Sequence, residues 1–184
     1  SFEHPIYWAS MLTKSHKRKF NTTEEELAIV SAKNHKHAMD NPLAYSNEPK
    51  TISEVMNSKQ ITEDLRILDC SRSCSGSSSI ILASEEKARK ISEQPIWITG
   101  IGQKTTSASF TKNILEESKS TKIAANSAYK MANIEPKLID VAEVHDAFSV
   151  CELMAISELG IIADDKSSEF VRDLFNTENR MINP

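Results

Sequence analysis

Charge of one sign and long apolar runs are both scarce in this chain. A formal net charge of −4 over 184 residues leaves no basic footprint, so no nucleic-acid partner is expected. No apolar run approaches the roughly 20 residues that a bilayer-crossing helix needs, and no membrane partner is expected either. No secretory leader opens the sequence at Ser1. Cysteine is sparse: Cys70, Cys74 and Cys151 form an odd set without disulfide-scaffold spacing, which fits a reduced, cytoplasmic setting or a processed organelle protein. Two nearby cysteines supply too few ligands for structural zinc, so no metal site is expected. A P-loop is missing, as are repeats and low-complexity tracts, which removes nucleoside triphosphate binding and solenoid folds from the reading. The chain also has no initiator Met and stops at MINP; neither end reads as a domain boundary, and an internal portion of a longer protein is the expectation.

What remains is ordinary for a soluble protein. The apolar share of 39% and charged share of 26% suffice for a core in one domain or parts of two. The opening SFEHPIYWAS reads as irregular. NTTEEELAIVSAKNHKHAMDNP predicts a helix: threonines and three acids suit its N-terminus, Leu27, Val30 and Ala38 share a stripe, and Asn41-Pro42 stops it. Within it, the HKH of residues 35–37, with Lys33 and Lys36, reads as a solvated face. TISEVMNS predicts a short helix with Thr51 and Glu54 spaced as a capping box. Residues 1–70 thus read as helical and polar.

The character then changes. Ile80-Ile81-Leu82 and PIWITGIGQKT read as strands, SEEKARKI as a helix between them, and SASFTKNILEESKS as a loop with a short helix. TKIAANSAYKMANIEP predicts an amphipathic helix closed by Asn133 and Pro136, and LIDVAEV a strand. HDAF is a tight connection into the helix SVCELMAISELG, where Ser149 and Glu152 have capping-box spacing and Gly160 falls at the C-terminal cap. Alternation of this kind argues a layered α/β architecture.

Candidate chemistry gathers where such folds bind ligands, beyond strand ends and near helix N-termini. His145 occupies that position. A helix N-terminus disfavours imidazolium, leaving a neutral donor able to stabilise an oxyanion. The simpler reading is a satisfied turn, with His145 bonded to its own backbone and Asp146 accepting from backbone N–H groups. CSRSCSGSSS would let a ligand approach the backbone closely, or would serve as a plain loop between helix and sheet. Cys74 and Cys151 are nucleophiles by residue type only; Val150 and Leu153 suggest a packed Cys151 thiol, and all three cysteines read as structural.

Four segments carry a resemblance. DVAEVHDAFSVCELMAISELG resembles the C-terminal half of thiolases of the sterol-carrier-protein type and their archaeal acetyl-CoA acetyltransferase relatives, where H-D-(C/A)-F stands for the Asn-Glu-Ala-Phe of other thiolases. TEEELAIVSAKNHKHAMDNPLA is similar to the loop-domain helix, LRILDCSRSCSGSSSIILASEEKA to the segment returning from that domain, and STKIAANSAYKMANIEPKLIDVAEVHDAF to the helix and strand before the motif. The order is the family's.

The resemblance implies a thiolase-like layered α/β/α/β/α fold, present in part. Residues 1–74 would belong to the loop domain, 75–92 to the last strand and helix of the N-terminal half, and 93–184 to the C-terminal half. It implies an acyl-CoA acyltransferase that forms or cleaves 3-ketoacyl-CoA, such as acetoacetyl-CoA, through an acyl-cysteine, with coenzyme A as substrate and no permanently bound cofactor. His145 would be the oxyanion-hole donor, Ser71 would contact the pantetheine of CoA, and Phe148 would flank the substrate channel. A homodimer or tetramer is implied.

The departures are specific. The nucleophilic Cys, the G-H-P-x-G-A-T-G histidine and the C-x-G cysteine are not in this sequence, so the chain alone is expected to be inactive. Arg72 replaces a Pro, Ser75 an Asp, and Ser77–Ser79 replace alanines. The alternative is a non-catalytic thiolase-like subunit, scaffolding a complex with a hydroxymethylglutaryl-CoA synthase and a bridging protein.

Overall fold

The structure is a computed structural model that describes residues 4–46, 48–107 and 118–184. Its first helix, α1 (Pro5–Phe20), corrects the reading of the opening segment as irregular. The signals are local but unusual: Pro5 stands in the first turn, and the N-cap is His4, whose Nδ1 accepts from Ile6 N–H. The helix stops at Asn21 in the left-handed region (φ 56°), a conformation Asn tolerates better than most residues.

The helix α2 (Glu24–Ala38) forms where expected, and Thr23 and Glu26 complete a reciprocal capping box at its start. Every residue from Leu27 to Lys33 is buried, so α2 is a core helix rather than a surface one. The solvated-face reading of Lys33 and His37 is therefore corrected. Lys33 is 1% exposed and His37 6%, whereas Lys36 does face solvent and pairs with Glu178 at 2.6 Å. Around α2 pack α3 (Ile52–Met56), α6 (Ser149–Glu158) and α7 (Ser167–Thr177). The core joins Leu12 of α1 and Leu27, Ile29 and Val30 of α2 to Val150, Leu153 and Ile156 of α6 and Val171 and Leu174 of α7. Each such side chain contributes roughly 1.5–3 kcal/mol of burial free energy.

α3 carries the expected Thr51–Glu54 capping box. A small antiparallel hairpin, β1 (Gln60–Thr62) and β2 (Leu65–Arg66), follows it and was not foreseen. The helices α4 (Glu85–Ile91) and α5 (Lys119–Ala132) match the expectation, α5 closing at Asn133 (φ 54°).

The three expected strands are corrected. Among the described residues the only ladder is β1–β2. Ile80, Ile81 and Leu82 are exposed and unpaired, residues 95–101 carry no ladder, and 138–144 make one isolated bridge, Ala142 to Ile182. A strand is defined by its neighbour, and the described residues place none beside these segments. Gly100 and Gly102 nonetheless pack directly on α5: a Cβ at Gly102 would lie 1.7 Å from the Ala124 carbonyl oxygen. Most of SASFTKNILEESKS lies outside the described residues.

Helix α6 begins after HDAF, but not as a capping box. Ser149 Oγ donates to Asp69 Oδ1 at 3.3 Å and Glu152 turns into the core at 0% exposure. At the other end Gly160 (φ 71°) behaves as foreseen: its N–H meets Ser157 O and Ile161 N–H meets Ile156 O, the Schellman pairing. No helix among the described residues is long and apolar enough to cross a membrane.

Candidate active site

The site is built where three backbone segments meet at the start of α6. Residues 142–144 are tied to 181–183 by Ala142 N–H to Met181 O (2.8 Å), Asn183 N–H to Ala142 O (3.0 Å) and Val144 N–H to Asn183 Oδ1 (2.8 Å). On the far side, Ser71 N–H donates to Ala147 O at 3.0 Å, and Cys70 bridges Phe148 antiparallel. His145, Ser71 and Phe148 are therefore brought to one junction. Their functional roles rest on the resemblance alone.

His145 is exposed, and its ring makes no hydrogen bond among the described residues. The satisfied-turn reading fails for it: the imidazole is not spent on its own backbone. It fails for Asp146 in another way. The Asp146 carboxylate accepts from the side-chain amide of Asn34 at 2.6 Å rather than from backbone N–H groups. Ser71 is exposed with its hydroxyl unbonded among the described residues. Phe148, half-buried, packs against the core cluster.

Beneath the turn lies a polar cluster that sequence reasoning missed. Lys33 Nζ stands 3.2 Å from Glu152 Oε1 and donates to Ile182 O at 2.9 Å. Glu152 Oε2 accepts from Asn34 Nδ2 (2.8 Å) and Asn183 Nδ2 (2.9 Å). Oε1 has the lysine as an ion-pair partner but no aligned hydrogen bond. Burial pushes the Glu152 carboxyl up and the Lys33 ammonium down, the mutual attraction opposing both. The available signal was the K-N-H run, but nothing in local spacing says that it faces inward.

Burial holds two of the thiols in their protonated form. Burial pushes Cys70 up to about 11, with Asp69 adding to it. Burial likewise pushes Cys151 up to about 11. Both are thiols at neutral pH. Cys74 is exposed. Among the described residues no group of three or more His, Cys, Asp or Glu is arranged to hold a metal ion.

A thiolase C-terminal domain-like family model matches residues 100–178. Over 165 residues the chain is 33% identical to an acetyl-CoA acetyltransferase of Methanothermobacter thermautotrophicus, a match covering 89% of this chain and 43% of that protein. Over most of its length the chain is a homologue of thiolase-type proteins. The chain is also 32% identical over 165 residues to sterol carrier protein 2 of Oryctolagus cuniculus, covering 86% of the chain and 30% of the relative. In three dimensions it matches the Ltp2-ChsH2(DUF35) aldolase with a TM-score of 0.87 at 22% identity, across 100% of this chain and 50% of the other. The fold is thus the thiolase-like one, in part. The chain spans less than half the length of these curated relatives.

Proposed function

We propose that the complete protein is a thiolase-type acyltransferase acting on acyl-CoA thioesters, forming or cleaving a 3-ketoacyl-CoA such as acetoacetyl-CoA. The carrying observation is the exposed imidazole of His145, unbonded among the described residues, at a hydrogen-bonded junction four residues before α6. In this reading the His145 ring donates a hydrogen bond to the thioester oxygen as negative charge develops in the enolate. Ser71, sutured to the same turn through Ala147, offers its hydroxyl to the pantetheine arm, and Phe148 walls the channel. The nucleophilic cysteine that takes the acyl group is assigned to sequence other than these 184 residues. The same reading keeps 1–74 as loop domain, 75–92 as the end of the N-terminal half and 93–184 as C-terminal half, in a homodimer or tetramer.

The test is CoA-dependent cleavage of acetoacetyl-CoA by the full-length gene product. The expected result is turnover that falls roughly 10²–10³-fold in kcat for His145→Ala. A full-length protein inert at every acyl length would overturn the reading and leave the non-catalytic thiolase-like subunit.

A further inference from the structure

Among the described residues His145 makes no side-chain hydrogen bond, so its flanks set its place. Val144 is held by Asn183 Oδ1, and Ala147 by Ser71 N–H. Among the described residues Asp146 is held through its side chain, and its holder is Asn34 on α2. The Asn34 amide is unusual in spending each polar atom inside one cluster. Its Nδ2 donates to Asp146 Oδ2 (2.6 Å) and to Glu152 Oε2 (2.8 Å), while its Oδ1 accepts from Lys33 Nζ. With three of the four possible bonds in use, a flipped amide would set its oxygen against two carboxylates. The orientation is therefore unique.

The anchor behind Asn34 does not move easily. Glu152 is 0% exposed, and Lys33, its counter-charge, is 1% exposed. Lys33 is fixed in turn on the Ile182 carbonyl. Asn183 closes the circuit: in the left-handed region (φ 47°), it reaches Glu152 with Nδ2 and Val144 N–H with Oδ1. One buried carboxylate thus controls both flanks of His145, through Asn34 on one side and Asn183 on the other.

We propose that Asn34 is a positioning residue for the His145 turn, bridging Asp146 to the buried Glu152 so that the imidazole is presented in one direction. The proposal rests on the reading of His145 as an oxyanion donor. No isostere serves: Leu removes both donors, and Asp adds a third carboxylate to two.

The test compares Asn34→Ala with Val171→Ala in the full-length protein. Val171 lies in the core on α7, so its truncation lowers stability without touching the turn. Two readouts are taken: kcat and KM for acetoacetyl-CoA cleavage, and the His145 imidazole proton–carbon NMR signal, assigned by its loss in His145→Gln. Asn34→Ala is expected to lower kcat roughly 10- to 100-fold, with KM within about threefold, and to shift or broaden the His145 signal. Val171→Ala should change neither at temperatures where it stays folded. An unmoved His145 signal with wild-type kcat in Asn34→Ala overturns the proposal, as do equal changes in both variants. Should no form turn over any acyl-CoA, the imidazole signal alone decides the positioning role, and only the catalytic reading of His145 falls.

Discussion

A lysine with 1% of its surface exposed is held in place by geometry rather than by net attraction. Desolvation works against both members of the Lys33–Glu152 pair, and a matched pair of apolar side chains often does as well. Removing one partner is another matter. Lys33→Met strands a buried carboxylate and is expected to cost about 3–5 kcal/mol, read as a lowered urea midpoint. Adding Glu152→Leu should recover part of that loss, since no uncompensated charge then remains. A second buried group makes stability pH-dependent. His16 Nδ1 and Thr22 Oγ1 share a hydrogen bond of 2.9 Å, and burial, with Lys19 adding to it, lowers the His16 pKa to about 4. Between an unfolded value near 6.5 and that folded value, the unfolded chain binds the proton and the folded chain does not. Stability from this group is therefore complete above pH 6.5 and lost as pH falls toward 4, by roughly 3 kcal/mol in all. Equilibrium unfolding across that window should flatten in His16→Gln; an unchanged slope would show that His16 is not the source.

At the scale of elements, the caps were legible and the partners were not. Thr51 with Glu54, Asn133 and Gly160 all act as their local spacing suggests, because a cap is decided within a few residues. Local spacing also misled once. Ser149 and Glu152 have the capping-box interval, yet Asp69 takes the serine and Lys33 the glutamate. Helix α1 was missed because its N-cap is a histidine, a residue outside the usual Ser, Thr, Asp and Asn set. The inward face of Lys33 and His37 depends on Glu152 and Asn183, more than a hundred residues away in the chain, where no periodicity reaches. The candidate site divides in the same way: His145, Ser71 and Phe148 are proposed on the motif, whereas the bonds of Asn34 and Asn183 beneath them needed coordinates. The contact of Gly102 with α5 makes an element-scale prediction. Gly102→Ala sets a methyl against the Ala124 carbonyl and should cost about 1–3 kcal/mol. The loss should appear first as faster amide exchange in α5; wild-type protection there would show that the close approach is tolerated.

For the whole molecule, the segments read as strands from sequence matter most. Ile80, Ile81 and Leu82 are 85%, 90% and 75% exposed, and Ile96 is 94% exposed. Apolar, β-prone and without ladder partners among the described residues, they are open to pairing with another chain. These 184 residues expressed alone are therefore expected to associate, giving light-scattering masses above the 20.6 kDa of one chain. A sharply melting monomer would contradict this.

Synthesis order gives the buried Lys33–Glu152 pair a further consequence. The two residues are 119 positions apart, so at about 5–20 residues per second the ribosome makes Glu152 roughly 6–24 s after Lys33. Throughout that interval the ammonium lacks the carboxylate that receives it in the folded chain. The charge whose burial opposes the finished fold can meet its partner only once α6 has been made, so this pair belongs to the late contacts of synthesis.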